Sequence, residues 1–297
     1  MSDRDYMVRA TALGERVRAF ALDATDVVAE LQARHDTSAP VTAALGRTAM
    51  GALLLAAASL KEEEQLLTAD VRGNGPVGRI VVTVNGRGEV RGLVGNPHAD
   101  APDVRPGKLN VAGVVGTEGY LAVTRDLGMR ETYQGMVELH SGEIGEDFAH
   151  YLLKSEQTPS GVGIGVFVDG AGRTAAAGGY MVQILGGLDD NELAAIEARM
   201  AALPHPTALL LEGATPEQIL ERIFPEGYTP GDRYPVSFKC PCSRERFEGG
   251  ILSLGEAEIE RIIAEETAPA TEVVCHFCNE KYHFAPHEMQ AILDASR

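Results

Sequence analysis

All four cysteines of the 297-residue chain fall in two short stretches, Lys239-Cys240-Pro241-Cys242-Ser243 and Val274-Cys275-His276-Phe277-Cys278. The first is a C-x-C pair and the second a C-x-x-C pair, and residues 243–274 separate them. Two close pairs with a foldable insert can supply four thiolates to one tetrahedral ion, for which Zn²⁺ is the usual choice. The pattern therefore predicts one zinc site formed by Cys240, Cys242, Cys275 and Cys278.

These pairs lie in a small segment, residues 235–297, that follows a run rich in proline and glycine. A domain of roughly 60 residues buries little surface and is marginally stable alone, whereas structural zinc can contribute about 10–16 kcal/mol at neutral pH. We therefore expect metal loss to unfold this domain. Oxidation of the thiolates would eject the ion, so the site has the chemistry of a redox switch.

Charged and imidazole side chains surround the cysteines in sequence. Lys239, Arg244 and Arg246 flank the first pair, where their charge either favours thiolates or is simply solvated. Three histidines also lie close by, but four cysteines already complete a tetrahedron, so none is predicted to be a ligand. These histidines are His276, His283 and His287.

The residues before this domain mix helical and strand-like patterns without a regular repeat, which favours an α+β domain. Ser38 and Pro40 signal the start of a long buried helix that runs to Lys61, in which Gly46 and Gly51 are expected to be weak points. A second helix over 144–154 places Ile144, Phe148, Tyr151 and Leu152 on one face. Strands are predicted at 66–71, 78–84, 89–94, 109–115, 120–125, 133–139, 162–168 and 175–185, with Asn85-Gly86 as a hairpin turn of positive φ.

A helical connector follows. Residues 191–203 are amphipathic, and Thr215-Pro216-Glu217-Gln218 has the pattern of a capping box that opens a helix through Ile223. A second capping box is predicted at Ser253-Leu254-Gly255-Glu256, between the two cysteine pairs. The predicted division is an α+β domain over 1–180, a helical linker over 181–234 and a zinc-binding domain over 235–297.

Composition narrows the classes of function. The net charge of −17 opposes binding to phosphate backbones and anionic lipid, so we expect neither a nucleic-acid nor a membrane partner. The first residues lack the apolar core of a secretory signal, and the apolar stretch 49–60 is shorter than the roughly 20 residues that cross a bilayer. The expected location is the cytoplasm, where cysteines stay reduced.

Motifs for nucleotide binding and catalysis are missing from the sequence. Gly73-Asn74-Gly75-Pro76-Val77-Gly78 fits G-x-G-x-x-G by letter, but a strand pattern follows it, so we interpret it as a turn. No Walker sequence and no G-x-S-x-G elbow occur. We therefore predict that the protein is not an enzyme, with no catalytic residues, no nucleotide partner and no organic cofactor.

Two alternatives use the same cysteines. A zinc ribbon that binds nucleic acid would need a basic, often aromatic surface, whereas this chain has no tryptophan and 5% aromatic residues. A thiol–disulfide oxidoreductase would use Cys275-His276-Phe277-Cys278 as its redox pair, and it would need a thioredoxin-like βαβ context. Salt-sensitive binding to RNA or DNA would identify the first, and turnover of a disulfide substrate the second.

Taken together, the cysteine pairs and several longer strings resemble the heat shock protein 33 family of redox-regulated, zinc-binding holdase chaperones. The strings are Tyr133-Gln134-Gly135, Ser141-Gly142-Glu143-Ile144-Gly145-Glu146-Asp147, Ser155-Glu156-Gln157-Thr158-Pro159-Ser160, Gly73–Gly95 and Ala177-Gly178-Gly179. The similarity extends over nearly the whole chain.

This resemblance implies an ATP-independent chaperone that binds unfolding client proteins under oxidative stress. The reduced form would hold one Zn²⁺ and be inactive. Oxidation would join Cys240 with Cys242 and Cys275 with Cys278, release the zinc and unfold the switch, and the active form would be a homodimer. Destabilising the linker would then expose apolar side chains, namely Leu193, Ile196, Leu209, Leu210, Leu211, Ile219 and Ile223.

Overall fold

A computed structural model describes residues 4–105, 107–265 and 269–294. The chain divides into two compact units, residues 1–239 and residues 240–297. Both contain helices and strands, which confirms the α+β class.

The first unit begins with a hairpin, two helices and a meander of strands: β1 (Tyr6–Ala12), β2 (Val17–Asp23), α1 (Thr25–His35), α2 (Ala39–Ser59), β3 (Leu66–Gly73), β4 (Arg79–Asn85), β5 (Glu89–Val94), α3 (Val111–Val115), β6 (Gly119–Asp126) and β7 (Tyr133–Glu138). It continues through α4 (Gly145–Lys154), β8 (Ser160–Val168), β9 (Thr174–Ile184), α5 (Asp190–Ala202), α6 (Pro206–Leu211), α7 (Pro216–Ile223), β10 (Thr229–Pro235) and β11 (Ser237–Phe238).

Two sheets organise these strands. One has five strands in the order β10-β1-β2-β9-β8, and the other has six in the order β11-β5-β4-β3-β6-β7. Neighbouring strands are antiparallel except β11, which runs parallel to β5. In such ladders alternate residues face opposite sides, so each strand can bury one row of side chains.

Helix α2 is the centre of the larger core. It is buried on nearly all sides, as its alanine- and leucine-rich sequence predicts, and it packs with both sheets and with α4. Gly46 and Gly51 make room for neighbouring side chains: a Cβ on Gly51 would lie 2.2 Å from Cε2 of Phe148. Its length and apolar composition match a membrane span, but 83% of its most apolar window is buried inside the fold, as in a core helix.

Helix α4 forms as predicted. Ile144, Phe148, Tyr151 and Leu152 are all buried in the larger core. Its entry is fixed by the buried carboxylate of Asp147, whose two oxygens accept hydrogen bonds from four backbone N–H groups in the preceding loop. A buried carboxylate satisfied in this way locks the loop against the helix.

Three local expectations are wrong. Residues 109–115 were expected to be extended, but 111–115 form α3 because the Asn110 side chain accepts a hydrogen bond from the N–H of Gly113. The β4–β5 hairpin exists, yet its positive φ lies at Gly88 and not at Gly86. Ser253 does not start a helix: it ends the helix over Arg244–Leu252, and its hydroxyl donates to the carbonyl of Gly250.

Helices α5, α6 and α7, called here the linker helices, cover the face of the five-stranded sheet opposite α2. Asp189 and Thr215 cap α5 and α7, and both caps are complete capping boxes, including the predicted one at Thr215. Their buried side chains pack on alternating residues of β1, β2 and β9. The buried residues of these helices include Ile196, Leu209, Leu210, Ile219, Leu220 and Ile223.

The proline- and glycine-rich run after α7 contains a strand. β10 pairs with β1 along the open edge of the five-stranded sheet, and β11 then pairs with β5. An edge strand tolerates Pro230 and Pro235 because only one of its sides joins the ladder.

The second unit contains α8 (Arg244–Leu252), α9 (Glu256–Glu265), β12 (Thr271–Val274), β13 (Lys281–Phe284) and α10 (Pro286–Asp294). β12 and β13 form an antiparallel hairpin. Its hydrophobic cluster is small and consists of Ile251, Ile259, Phe284, Met289 and Leu293, with partly buried neighbours.

The close fit of Gly51 against Phe148 generates a stability prediction. Alanine is favoured over glycine in a helix by about 1 kcal/mol, but overpacking a core costs about 1–3 kcal/mol, so Gly51→Ala is expected to destabilise the first unit. Urea unfolding followed by circular dichroism measures the change. Gly170→Ala, whose Cβ would meet no atom within 4 Å, is the control and should change stability by less than about 0.5 kcal/mol. A Gly51→Ala variant as stable as the control would contradict the packing argument.

Candidate metal centre

The structure brings the two cysteine pairs together within the second unit. Cys240 and Cys242 precede α8, and Cys275 and Cys278 lie in the turn that joins β12 to β13. The four Sγ atoms lie within 4.8 Å of one another, and all four cysteines are in the thiol form. The Sγ atoms of Cys240 and Cys275 are 3.7 Å apart, and those of Cys242 and Cys278 are 3.4 Å apart.

The backbone of the hairpin shapes the second pair. The N–H of Cys275 donates to the carbonyl of Glu280, and the carbonyl of Cys275 accepts from the N–H groups of Cys278 and Asn279. Asn279 has a φ of 55°, in the left-handed region that asparagine tolerates better than most residues. This tight turn brings both sulfurs of the second pair into the four-sulfur cluster.

Helix α8 holds the first pair. Ser243 caps the helix, its Oγ accepting from the N–H of Arg246, and Arg246 donates from Nη1 to the carbonyl of Pro241 at 3.0 Å. The positive end of the helix dipole therefore lies next to Cys242 in the chain, where it favours a negatively charged sulfur.

Burial raises the pKa of the thiols of Cys275 and Cys278. Tyr282 donates its hydroxyl hydrogen to Sγ of Cys242 at 3.3 Å, a bond that raises the pKa of the phenol. Four thiolates this close repel one another, so a bound cation is needed if all four are to ionise together. The cluster is therefore suited to a metal ion.

The dimensions agree with zinc. A Zn–S bond of about 2.3 Å places the sulfurs of a tetrahedral site about 3.8 Å apart. The observed separations of 3.7 and 3.4 Å are close to this value and far longer than the roughly 2.05 Å of a disulfide bond. Cys240, Cys242, Cys275 and Cys278 thus fit a structural Cys₄ site for Zn²⁺ without large movement.

The neighbouring charges have specific partners. Lys239, in the first unit, forms an ion pair with Glu89, with 2.6 Å between Nζ and Oε1. Arg244 donates to the carbonyl of His283 and to Glu288, and its guanidinium lies over the ring of Phe284. Arg244 thus helps to join the two ends of the second unit, and Arg246 supports the C-x-C segment through Pro241.

The histidines do not join the cluster. Among the described residues, the group suited to a metal contains the four cysteines alone, without His276, His283 or His287. Sequence reasoning missed Asn279 and Tyr282, which shape the turn and contact a sulfur. The identity of Asn279, directly after the last cysteine, was the available signal for a left-handed residue.

The first glycines of the segment 73–78 are packed tightly against backbone. A Cβ on Gly73 would lie 1.9 Å from the carbonyl oxygen of Val115, so the backbone of this turn packs directly on the backbone after α3. Strand β4 follows the turn, as the sequence predicts.

Comparison with known proteins agrees with this geometry. A family model described as "Hsp33 protein" matches residues 5–285. The chain belongs to the Hsp33 family. Among curated Hsp33 relatives, the 33 kDa chaperonin of Bacillus subtilis is 46% identical over 290 residues and that of Enterococcus faecalis is 45% identical over 291, each match covering 98% of this chain and 98% and 96% of the relative.

Solved structures give the same result. The crystal structure of the 33 kDa chaperonin (heat shock protein 33 homolog) from Thermotoga maritima has a TM-score of 0.90 and 36% sequence identity, with 99% of each chain covered. The resemblance of the sequence to this family is thereby confirmed, and the chain is a member of a chaperone family.

Cobalt titration checks the composition of this Hsp33 centre. We expect metal-free, reduced protein to bind one Co²⁺ per chain with the intense thiolate-to-cobalt absorption of a four-sulfur tetrahedral site. Cys242→Ser should weaken that absorption and lower affinity by at least about tenfold. His276→Ala is the control, because it changes a residue between Cys275 and Cys278 without removing a sulfur. An effect of His276→Ala as large as that of Cys242→Ser would contradict the four-cysteine assignment.

Proposed function

We propose that this Hsp33-family protein is a redox-regulated, ATP-independent holdase that binds unfolding proteins and prevents their aggregation under oxidative stress. The observation that carries the proposal is the convergence of four cysteine sulfurs, from two distant segments, within 4.8 Å of one another. These sulfurs lie in a unit whose own hydrophobic cluster is small.

In the inactive form, Cys240, Cys242, Cys275 and Cys278 would hold one Zn²⁺ per chain. Bound there, the ion would cross-link the C-x-C segment to the β12–β13 hairpin and neutralise part of the thiolate charge. The cluster of Ile251, Ile259, Phe284, Met289 and Leu293 is too small to replace that cross-link. The fold of the second unit would therefore depend on the state of its sulfurs.

Oxidation would remove the ligands. We propose that Cys240 pairs with Cys242 and Cys275 with Cys278: in each pair two thiolates would give up two electrons and form an S–S bond, and a peroxide would take these electrons with two protons from solvent and become two waters. The Sγ separations of 3.7 Å between Cys240 and Cys275 and 3.4 Å between Cys242 and Cys278 join one pair to the other, so the proposed pairing rests on the resemblance to the family and not on these distances. Sequence neighbours are favoured because they stay close once the two segments separate.

The linker helices would supply the surface for clients. We propose the division predicted from the sequence, with a chaperone core over 1–180, a linker over 181–234 and the redox switch over 235–297. In the structure, most of the side chains that are predicted to become exposed pack against the five-stranded sheet. Ile196, Leu209 and Ile219 are each at most 2% exposed. Leu193 is partly buried, and Leu211 is already 51% exposed.

Loss of the linker contacts would then present an apolar sheet face and apolar helix faces together, the kind of surface that binds unfolded chains. The net charge of −17 would keep such a form, with its client, in solution. We propose further that the active form is a homodimer, that it acts in the cytoplasm, and that neither ATP nor nucleic acid takes part.

Zinc content measured alongside aggregation suppression tests this proposal. With a thermally unfolding client and no ATP, peroxide at raised temperature should release one zinc per chain as suppression appears. Dithiothreitol with added zinc should reverse both changes. If zinc is retained after oxidation and suppression does not increase, the metal has a structural role only and the proposed switch is disproved.

A variant separates metal loss from oxidation. Cys275→Ser should abolish tight zinc binding and raise suppression by the reduced protein severalfold, because the second unit loses its cross-link without any oxidant. Ser237→Ala, outside the second unit, is the control and should keep one zinc and low basal activity. Unchanged zinc stoichiometry in Cys275→Ser would disprove the four-ligand arrangement.

A further inference from the structure

A cavity of about 590 Å³ lies between α4, the β8–β9 pair and the first linker helix, α5. Most of its wall is apolar and includes Val182, Ile184, Leu193 and Ile196. Met200, on the last turn of α5, also lines this cavity and is partly buried. The thioether of Met200 is therefore within reach of small solutes that enter from solvent.

Met200 packs directly on the backbone of the sheet. A Cβ on Gly161 of β8 would lie 2.0 Å from Cε and 3.0 Å from Sδ of Met200, so the methionine occupies the space that a side chain at Gly161 would take. Farther along the same strand, His205 occupies the corresponding space over Gly165. Side chains that flank α5 thus fit into depressions that glycine leaves in β8.

Few other apolar contacts hold α5. Ile196 is its fully buried residue, and Met200 is one of the partly buried neighbours in the same cluster. Ion pairs also hold α5 in place: Arg16 donates to Glu192 from both guanidinium Nη atoms, and Arg199 pairs with Glu226. A change in the polarity of Met200 therefore affects a large share of the apolar contact between α5 and the sheet.

The described methionines differ in exposure and packing. Met7, Met50, Met181 and Met289 are at most 2% exposed and are shielded from oxidants. Met129 and Met136 are 66% and 57% exposed, so an added oxygen there would point into water. Among these residues, Met200 combines access through a cavity with contact to a packed sheet.

From this geometry we infer that Met200 is a second oxidation site, whose conversion to methionine sulfoxide releases α5 from the sheet. A peroxide or hypochlorous acid is the oxidant. With peroxide, the sulfur lone pair takes one oxygen as the O–O bond breaks, sulfur is oxidised by two electrons, and the peroxide leaves as water. With hypochlorous acid, sulfur gains the same oxygen as the O–Cl bond breaks, and chloride and a proton leave. Cε of Met200 already occupies the space over Gly161, so the new oxygen has no room on the sheet side. The cavity wall around α5 is mostly apolar, although His140, Glu146, His150, Ser160 and Glu197 also line it, and its apolar part penalises a polar S=O group.

The consequence for chaperone activity rests on the proposed function, because α5 is part of the proposed linker. The sulfoxide would add a change that reduction of disulfides does not reverse, since dithiothreitol restores thiols but methionine sulfoxide needs its own reductases. Full-length protein that has met a strong oxidant would then return to the resting form in two separately reversible steps.

Hydrogen exchange after selective reduction tests the inference. Full-length protein is treated with hypochlorite, then with dithiothreitol and zinc until thiols and metal are restored, and the sulfoxides are located by peptide mass spectrometry. We expect oxygen on Met200 and amide exchange in residues 190–202 at least about tenfold faster than in untreated protein. Methionine sulfoxide reductases A and B together should reverse the change.

Substitutions give matched comparisons. Met200→Leu keeps the volume but cannot take oxygen, so its α5 should exchange slowly after the same treatment, whereas Met136→Leu should respond like the unsubstituted protein. Met200→Gln should exchange faster without oxidant, and Met136→Gln should not. The inference is overturned if Met200 stays unmodified while Met129 and Met136 are oxidised, or if Met200 sulfoxide leaves exchange in α5 unchanged.

These readouts do not depend on aggregation assays. Faster exchange in α5 without any gain in suppression would count against the proposed function and leave the oxidation site standing. If suppression follows zinc release but amide exchange in α5 is unchanged after Met200 oxidation, the proposed function stands and the inference about Met200 is overturned.

Discussion

Mutual repulsion among four closely spaced sulfurs is the constraint on which this molecule depends. Cys240, Cys242, Cys275 and Cys278 lie too close to ionise together without a cation, and burial already opposes ionisation of the second pair. A metal ion turns that repulsion into attraction, and a covalent S–S bond removes it by another route. Zinc would hold the sulfurs about 3.8 Å apart and a disulfide about 2.05 Å apart, so under the proposed function oxidation would change the geometry of the second unit.

Within the first unit, the central helix and the outer helices differ in how they are packed. Its stable centre is α2, which both sheets enclose, and that core has no need of the cysteines. The linker helices are attached more lightly, through the second cluster and a few ion pairs at their ends. The linker helices therefore pack in a smaller hydrophobic cluster than α2 does, and they are the part that the proposed function requires to change conformation.

Sequence patterns predicted the features that depend on local spacing. The C-x-C and C-x-x-C pairs, the apolar face of α4 and the capping box at Thr215 are each determined by a few nearby residues. The predictions for 109–115 and for Ser253 were wrong because side chains there can form alternative local hydrogen bonds, and the sequence does not show which of them is the more stable. Strand β10 was missed because its conformation comes from pairing with β1, more than 200 residues earlier in the chain.

Between α7 and Cys240, the chain forms an edge strand of each sheet in turn. β10 occupies the border of one sheet with seven residues, and two residues of β11 then occupy the border of the other. An edge strand can detach one hydrogen-bonded pair at a time from its end, because each lost pair exposes the next one to solvent. Fraying that begins at Cys240 would release the two residues of β11 before the seven residues of β10, so under the proposed function the disturbance would reach α7 only after both sheet edges had opened.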